Sequence, residues 1–443
     1  MLTDPCDYPD CSAWALPVAG DCERCRKHLC THHNLPPTHL CGEIGWTYEG
    51  QMSPLDQENA RMQTSLNDLG IERSALELRP GHTLKPICLV VDSLPRGMFN
   101  IIVPIEFDDG VKWVARVRRK TFFQLPSRVV RMCTQGEIDT MKWLARVDAA
   151  PVPKIVSPLY THGDTDFYFM EMITGTSFPD PLPTGDDRLS LIRTTIWDYA
   201  KISIRRSLHP LRLVGTLYHD PIADAFSVGP HLNFFIPNQA IPHFPGPWKT
   251  TAQKYAQRFD DILADIRAGT LYPDDREQAF LVHRWMKEVV VAYPPYQHEE
   301  DTFIVHEDSN AGMIMVDVEG KITGLIDWER ASVGSKVEAF ATPAAFEDRS
   351  LILTGSNDLS FAEVELVTAY TELGRPDLAE CIVLGKPFQW LSMILGAEDW
   401  KLYKYLKALG VSLGLEMEDS MAGFLEVQKG KYEEELGFLG GQA

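Results

Sequence analysis

Residues 302–336 read TFIVHEDSNAGMIMVDVEGKITGLIDWERASVGSK. An apolar run, Phe303 to Val305, ends in His306-Glu307-Asp308. After a short loop the pattern predicts a hairpin: apolar Met313–Val316, a Glu319-Gly320 turn, then apolar Ile322–Ile326. The second strand delivers Asp327 at its end, followed by Trp328-Glu329. Asp308 and Asp327 are thus expected at strand ends joined by one tight hairpin. Phosphoryl transfer uses such a layout, with one carboxylate orienting the attacking hydroxyl and another holding metal against the phosphates.

This segment resembles the catalytic stretch of the aminoglycoside phosphotransferase (APH) family, which reads H-x-D-x-x-x-x-N, a hairpin, then I-D-W-E. The resemblance covers roughly residues 86–400 and implies an α+β, two-lobed, protein-kinase-like fold. It also implies ATP and Mg²⁺, with a hydroxyl or amine of a small molecule as acceptor. Carried onto this chain, Asp308 orients or deprotonates the acceptor hydroxyl, and Asp327 coordinates the metal. His306 braces the loop, and Glu329 packs behind Trp328 or aids acceptor recognition. Met313 stands where the family has a metal-binding asparagine. A thioether is a soft ligand and does not suit Mg²⁺, which takes hard oxygens. Asn310 offers a displaced amide oxygen in its place.

Upstream, the pattern predicts strands at Cys88–Val91, Phe99–Phe107 and Val111–Arg118, the last two joined by Asp109-Gly110. Gly97 and Asn100 match the family loop that lies over the nucleotide phosphates. The chain has no G-x-x-x-x-G-K-[ST] P-loop. In the strand 111–118, Arg116 shares a face with Val114, opposite Trp113, Ala115 and Val117. A cation there would reach the α- and β-phosphates; the alternative is a solvated charge beside Arg118, Arg119 and Lys120. A helix is expected from Arg128 to Val147, with Ile138, Met141 and Leu144 as its apolar stripe. Glu137 points with that stripe and needs a partner, for which Arg116 is the candidate. Otherwise Glu137 is a boundary residue at the stripe's edge. Strands Lys154–Tyr160 and Phe167–Met172 should follow. The resemblance places a hinge at Glu171-Met172-Ile173, where backbone groups meet the adenine ring.

Amphipathic helices are expected over 187–206, 251–267 and 276–292, with several more beyond 360. Residues 207–250 read as a long irregular stretch, a candidate substrate wall or lid. The tail from Gly437 reads as a flexible end. The expected domains are a finger over 1–43, a linker with a packing helix over 44–85, an upper lobe over 86–173 and a mainly helical lower lobe over 174–443.

Six of the nine cysteines fall in the first 41 residues, interleaved with histidines. The ligand-capable residues are Cys6, Cys11, Cys22, Cys25, Cys30, His33, His39 and Cys41. Eight ligands make two tetrahedral sites, and metal would supply the folding energy that so short a segment lacks. The spacing resembles the AN-one-type zinc finger. That resemblance assigns Cys6, Cys11, Cys30 and His33 to one zinc, and Cys22, Cys25, His39 and Cys41 to the other. It also implies a protein-interaction role. A disulfide framework is the rival reading, disfavoured by the lack of a basic-then-apolar leader. Cys88, Cys133 and Cys381 read as buried thiols.

The net charge of −20 argues against a general nucleic-acid or anionic-membrane binder. No run of 18 apolar residues is present, so no membrane span is expected and the cytoplasm is the default compartment, with the nucleus as alternative. Two functional readings stay open. One is an ATP-dependent phosphotransferase with a weakened metal site. The other is a pseudokinase, a nucleotide-binding scaffold or adaptor whose finger recruits a protein partner.

Overall fold

The computed structural model describes residues 54–97, 99–119, 127–163, 165–179, 186–232, 244–299, 301–396 and 399–441. The eight zinc-ligand candidates, Cys6 to Cys41, lie outside the described residues.

Helices α1 (Pro54–Asp68) and α2 (Ile71–Leu78) pack against the upper sheet, burying Met62, Leu66, Ile71 and Ala75. The sheet comprises β1 (Asn100–Glu106), β2 (Lys112–Arg118), then, after helix α3 (Ser127–Arg146), β3 (Tyr160–His162) and β4 (Thr165–Glu171). Its order is β1-β2-β4-β3, all neighbours antiparallel, with Ile102 opposite Arg116. The strand alternation divides the molecule. Trp113, Ala115, Val117, Phe167 and Phe169 face an upper core, while Val114, Tyr168 and Met170 face the larger lower core. Strands β2 and β4 are therefore buried on both sides, and Arg116 lies on the side of the lower lobe.

Two expected strands fail for local reasons. Cys88–Val91 forms none, and Cys88 is exposed rather than buried. The Gln63 amide takes the place of a sheet neighbour, donating to Leu89 O at 2.7 Å and accepting from Val91 N at 3.0 Å. Lys154–Tyr160 keeps only an isolated bridge, Ile155 to Met170, and the ladder begins at Tyr160. Pro151, Pro153 and Pro158 lack the donors a longer ladder would need.

The lower lobe begins with β5 (Thr176–Ser177) and α4 (Asp186–Arg206). The stretch expected to be irregular instead holds a hairpin, β6 (Thr216–Asp220) and β7 (Ala225–Gly229), with Tyr218 opposite Ser227. The Asp220 carboxylate closes its turn by accepting from Ile222 N and Ala223 N. Helices α5 (Thr251–Ala268), α6 (Arg276–Val291) and the short α7 (Pro294–Gln297) follow. Helix α5 is capped by Thr250, whose hydroxyl accepts from Gln253 N, and buries Tyr255, Phe259, Leu263 and Ile266 at helical spacing. Next come β8 (Phe303–Val305), β9 (Ile314–Val316), β10 (Ile322–Leu325) and β11 (Ser332–Gly334). Helices α8 (Lys336–Ala339), α9 (Arg349–Thr354), α10 (Phe361–Glu372), α11 (Pro376–Leu384), α12 (Lys386–Gly396), α13 (Tyr403–Ser412) and α14 (Met421–Tyr432) close the lobe.

The tail is not a loose end: Phe438 packs on Phe280 with ring centroids 5.1 Å apart. The stretch Pro376–Leu395 is long and apolar enough to cross a membrane by length and composition, but 61% of it is buried within the fold. Leu378, Ile382, Trp390 and Ile394 belong to the lower core, as in a core helix.

Buried histidines give the fold an acid limit. Burial lowers His283 to about 4, and its Nδ1 lies 2.7 Å from Ala279 O. The unfolded chain takes a proton near 6.5, so stability present above that pH is lost as pH falls toward 4. His283 alone is expected to account for roughly 3 kcal/mol of this loss. Urea midpoints measured between pH 7 and 4.5 should flatten in His283→Gln; an unchanged slope excludes this origin.

Candidate active site

The central hairpin forms almost as its sequence dictates. Asp317 accepts from Glu319 N and Lys321 N, both at 2.9 Å, and Gly320 takes φ 83°. A Cβ on Gly320 would lie 2.7 Å from Leu191 O, so the turn also needs glycine for close approach to α4. The register slips between Ile322 and Gly324, a bulge in β10. After it, Ile326 N donates to Met313 O at 3.0 Å, and the chain turns at Asp327 with φ 62° and ψ 61°. A left-handed aspartate costs roughly 1–2 kcal/mol, offset here by packing of the next residue. Trp328 is fully buried, and its Nε1 donates to Leu325 O at 3.0 Å.

His306 holds the two acidic ends together. Its Nε2 donates to Ile326 O at 2.9 Å, and its ring lies 4.4 Å from that of Trp328. Burial lowers its pKa, while that hydrogen bond and the charges of Asp308 and Asp327 act the other way. The Asp308 carboxylate accepts from Asn310 Nδ2 at 2.8 Å. The Asn310 amide oxygen in turn caps the following turn, accepting from Gly312 N at 2.9 Å. It is thereby committed to the loop, and Met313 lines the cleft in the position of the missing asparagine.

A cluster of buried charge roofs the hairpin. Arg116 donates through Nε to Glu137 at 3.1 Å, and through Nη2 to Asp327 at 2.5 Å and Glu329 at 3.4 Å. Glu329 also accepts from Asn100 Nδ2 at 2.7 Å and from Arg118 Nη1. Burial pushes the Glu137 carboxyl up to about 8, against the pull of the Arg116 guanidinium. The cluster joins both lobes, because Glu329 comes from the lower lobe and Asn100, Arg116 and Arg118 from the upper sheet.

All eight residues singled out for catalysis or nucleotide contact line one cavity of about 790 Å³. Asp308 and Asp327 lie there with Arg116 and Glu137, and so do Gly97, Asn100, Glu171 and Met172. Two placements differ from expectation. The Asn100 amide is spent on Glu329 instead of facing the cleft freely. Arg118 is buried against Glu329, not solvated. Sequence reasoning missed Glu329 as a bridge between lobes, since its partners lie more than 200 residues away. It also missed Arg258, which lines the cavity from α5. The signal was present: Arg258 follows Tyr255 by three positions and precedes Ile262 by four, on the helix's apolar face.

The model of the phosphotransferase enzyme family, APH, matches residues 105–342, more than half of the chain. The chain belongs to the APH phosphotransferase family. Its mixed α/β kinase-like architecture agrees with that membership. Among characterised proteins, this APH-family chain is 21% identical over 321 residues to clavilactone A biosynthesis cluster protein Y of Ampulloclitocybe clavipes, covering 70% of this chain and 74% of that one. Among solved structures, a thermostable mutant of aminoglycoside phosphotransferase APH(4)-Ia in ternary complex with AMP-PNP and hygromycin B aligns with 16% identity. It covers 81% of this chain and 98% of that one, with a TM-score of 0.42. A macrolide 2'-phosphotransferase type I aligns with 17% identity over 83% and 99% of the two chains, with a TM-score of 0.40.

Proposed function

We propose that this APH-family protein transfers the γ-phosphoryl group of ATP to a hydroxyl of a small molecule. The observation that carries this reading is the convergence of Asp308, Asp327, Arg116 and Glu137 on one cavity. Asp308 would receive the acceptor's proton as its oxygen bonds to the γ-phosphorus and the bond to the departing ADP oxygen breaks. The Asn310 amide fixes the orientation of that carboxylate. Arg116, held by Glu137, supplies a fixed positive charge for phosphate oxygens. Backbone groups at Glu171 and Met172 would meet the adenine.

Asp327 would hold Mg²⁺, which when bound neutralises charge on the β- and γ-phosphates. The residues present fit one such ion: Asp327 is a hard carboxylate with a partly open side chain. They do not fit a second, because Met313 presents sulfur and the Asn310 oxygen is already used. Met313 therefore supports a second reading, a nucleotide-binding pseudokinase.

The two readings separate by ADP release from Mg-ATP over a panel of hydroxyl compounds, beside Mg-AMP-PNP binding. Met313→Asn is expected to raise acceptor-dependent release at least about tenfold, the effect of 1.4 kcal/mol of added transition-state stabilisation. Release by Met313→Asn alone would favour the pseudokinase. No release and no AMP-PNP binding by either protein would sink both.

For the first 43 residues we propose two structural zinc ions, held by the eight cysteines and histidines named above, in a module that docks a protein partner. Elemental analysis should find two zinc per chain, falling to one in Cys22→Ser; a chain free of zinc when purified without chelator ends this proposal.

A further inference from the structure

The chamber that holds Asp308 is also lined by Trp248, Tyr272 and Phe388. Besides Arg116, three cations line it, and they differ in their commitments. Lys254 is used up: its Nζ lies 2.7 Å from Glu338, which also accepts from Thr251 and Tyr255. Arg330 is engaged with its surroundings. Arg258 makes no hydrogen bond or ion pair among the described residues, although it is partly buried and lines the chamber.

Its neighbours do not neutralise it. Burial draws the Arg258 pKa down and Arg330 adds to this, while Tyr255 and Glu307 draw it up. Glu307 is shared more widely. Its carboxylate accepts from Ser332 at 2.5 Å, and its neighbours His231, Lys254 and Arg330, with that hydrogen bond, outweigh burial and hold it below its usual range. Pairing Lys254 with Glu338, and Glu307 with one arginine, leaves one positive charge over. The other carboxylates that line the cavity here are not among the main charges acting on Arg258. Asp261 accepts from Gln257 at 3.2 Å, Asp399 has its own partner, and burial with repulsion from Glu363 raises Glu347 to about 7. A second polar atom is also idle: His231 Nδ1 is buried with no partner among the described residues, and burial lowers this imidazole to about 4, so it is neutral. An unpaired guanidinium beside an unpaired imidazole nitrogen is costly unless a ligand completes both.

We propose that the acceptor is a hydroxy acid, with a carboxylate seated on Arg258, an apolar body against Trp248, Tyr272 and Phe388, and a hydroxyl presented to Asp308. The fate of the hydroxyl rests on the phosphotransferase reading; the carboxylate contact does not. In a chain of net charge −20, an uncompensated guanidinium gives an organic anion a local point of attraction. Arginine suits the task because its planar fork matches both carboxylate oxygens.

The test uses three probes with one phenolic body and charges of −1, 0 and +1: 4-hydroxyphenylacetate, its methyl ester and tyramine. Calorimetric titration should show the acid binding at least about tenfold tighter than the other two, as expected for a charge-assisted hydrogen bond. Arg258→Met should abolish that preference, and Arg258→Lys should keep part of it. Equal responses, no response to any probe, tighter binding of the amine, or a preference that survives Arg258→Met would each overturn the inference. Mg-AMP-PNP is titrated separately into the wild-type protein. Acid preference without nucleotide binding removes the phosphotransferase reading alone; nucleotide binding without acid preference removes this inference alone.

Discussion

Asp308→Asn is expected to lower acceptor-dependent phosphoryl transfer by about 10²- to 10⁴-fold, the range lost with a positioned general base. The effect should fall on kcat. The substituted amide keeps the shape of the carboxylate, and its oxygen can still accept from Asn310 Nδ2, which now lies 2.8 Å away. What it loses is the capacity to take a proton from the acceptor. The fold should hardly notice, because Asp308 is only partly buried and sits in a loop rather than a core. Steady-state kinetics at saturating Mg-ATP, with a parallel melting curve, checks both halves. Wild-type kcat in Asp308→Asn would remove this residue from the chemistry. A large fall in melting temperature would mean that the loop, not the proton, had been tested.

Arg116→Met should act chiefly on stability, with a loss of about 3–5 kcal/mol in urea unfolding at pH 8, the usual cost of breaking a buried ion pair. Arg116 is buried among Glu137, Asp327 and Glu329, and Glu137 is 2% exposed. Methionine fills much of the volume but leaves three carboxylates with only Arg118 among the buried cations that bond them. The penalty carries a pH signature. Burial already raises the folded-state Glu137 above its ordinary value of 4.5 to about 8. A carboxyl raised on folding favours the folded state fully below the unfolded value, and this advantage is lost as pH rises toward the folded value. The stability of Arg116→Met should therefore rise as pH falls from 8 toward 4.5. Arg116→Met with Glu137→Gln should recover part of the loss, since the second change removes the stranded charge. A loss below about 1 kcal/mol at pH 8 would mean that the cluster is solvated and not the buried lattice described here.

Much of the site was legible because its parts are local. Asp308 and Asp327 are brought near each other by a hairpin whose turn, strand lengths and apolar alternation are written within a few tens of residues. Arg116 and Glu137 were legible for a related reason: a strand with a period of two and a helix with a period of 3.6 each fix which side of the element faces inward. The failures were equally physical. Asn100 was assigned to phosphates on motif position, yet its amide meets Glu329 across 229 residues of chain. Arg118 looked like one of a run of surface cations, and only the lower lobe supplies the carboxylate that allows its burial. The hairpin Thr216–Asp220 with Ala225–Gly229 was hidden among Gly, Pro and His, because its strands are short and one end is tied to β11 through Gly215 and Val333.

The family resemblance implied the two-lobed plan; by itself the sequence determined the hairpin that carries Asp308 and Asp327 and the mismatch of Met313 with a hard metal. These follow from periodicity, turn chemistry and ligand hardness, which act over short stretches of chain. Only the tertiary structure decided that Glu329 ties the lobes together, that the Asn310 oxygen is already occupied, and that Arg258 lines the cavity with no hydrogen bond or ion pair among the described residues. Each of those depends on which charges share a buried space. Burial makes such pairings strong, and no local pattern encodes the partner.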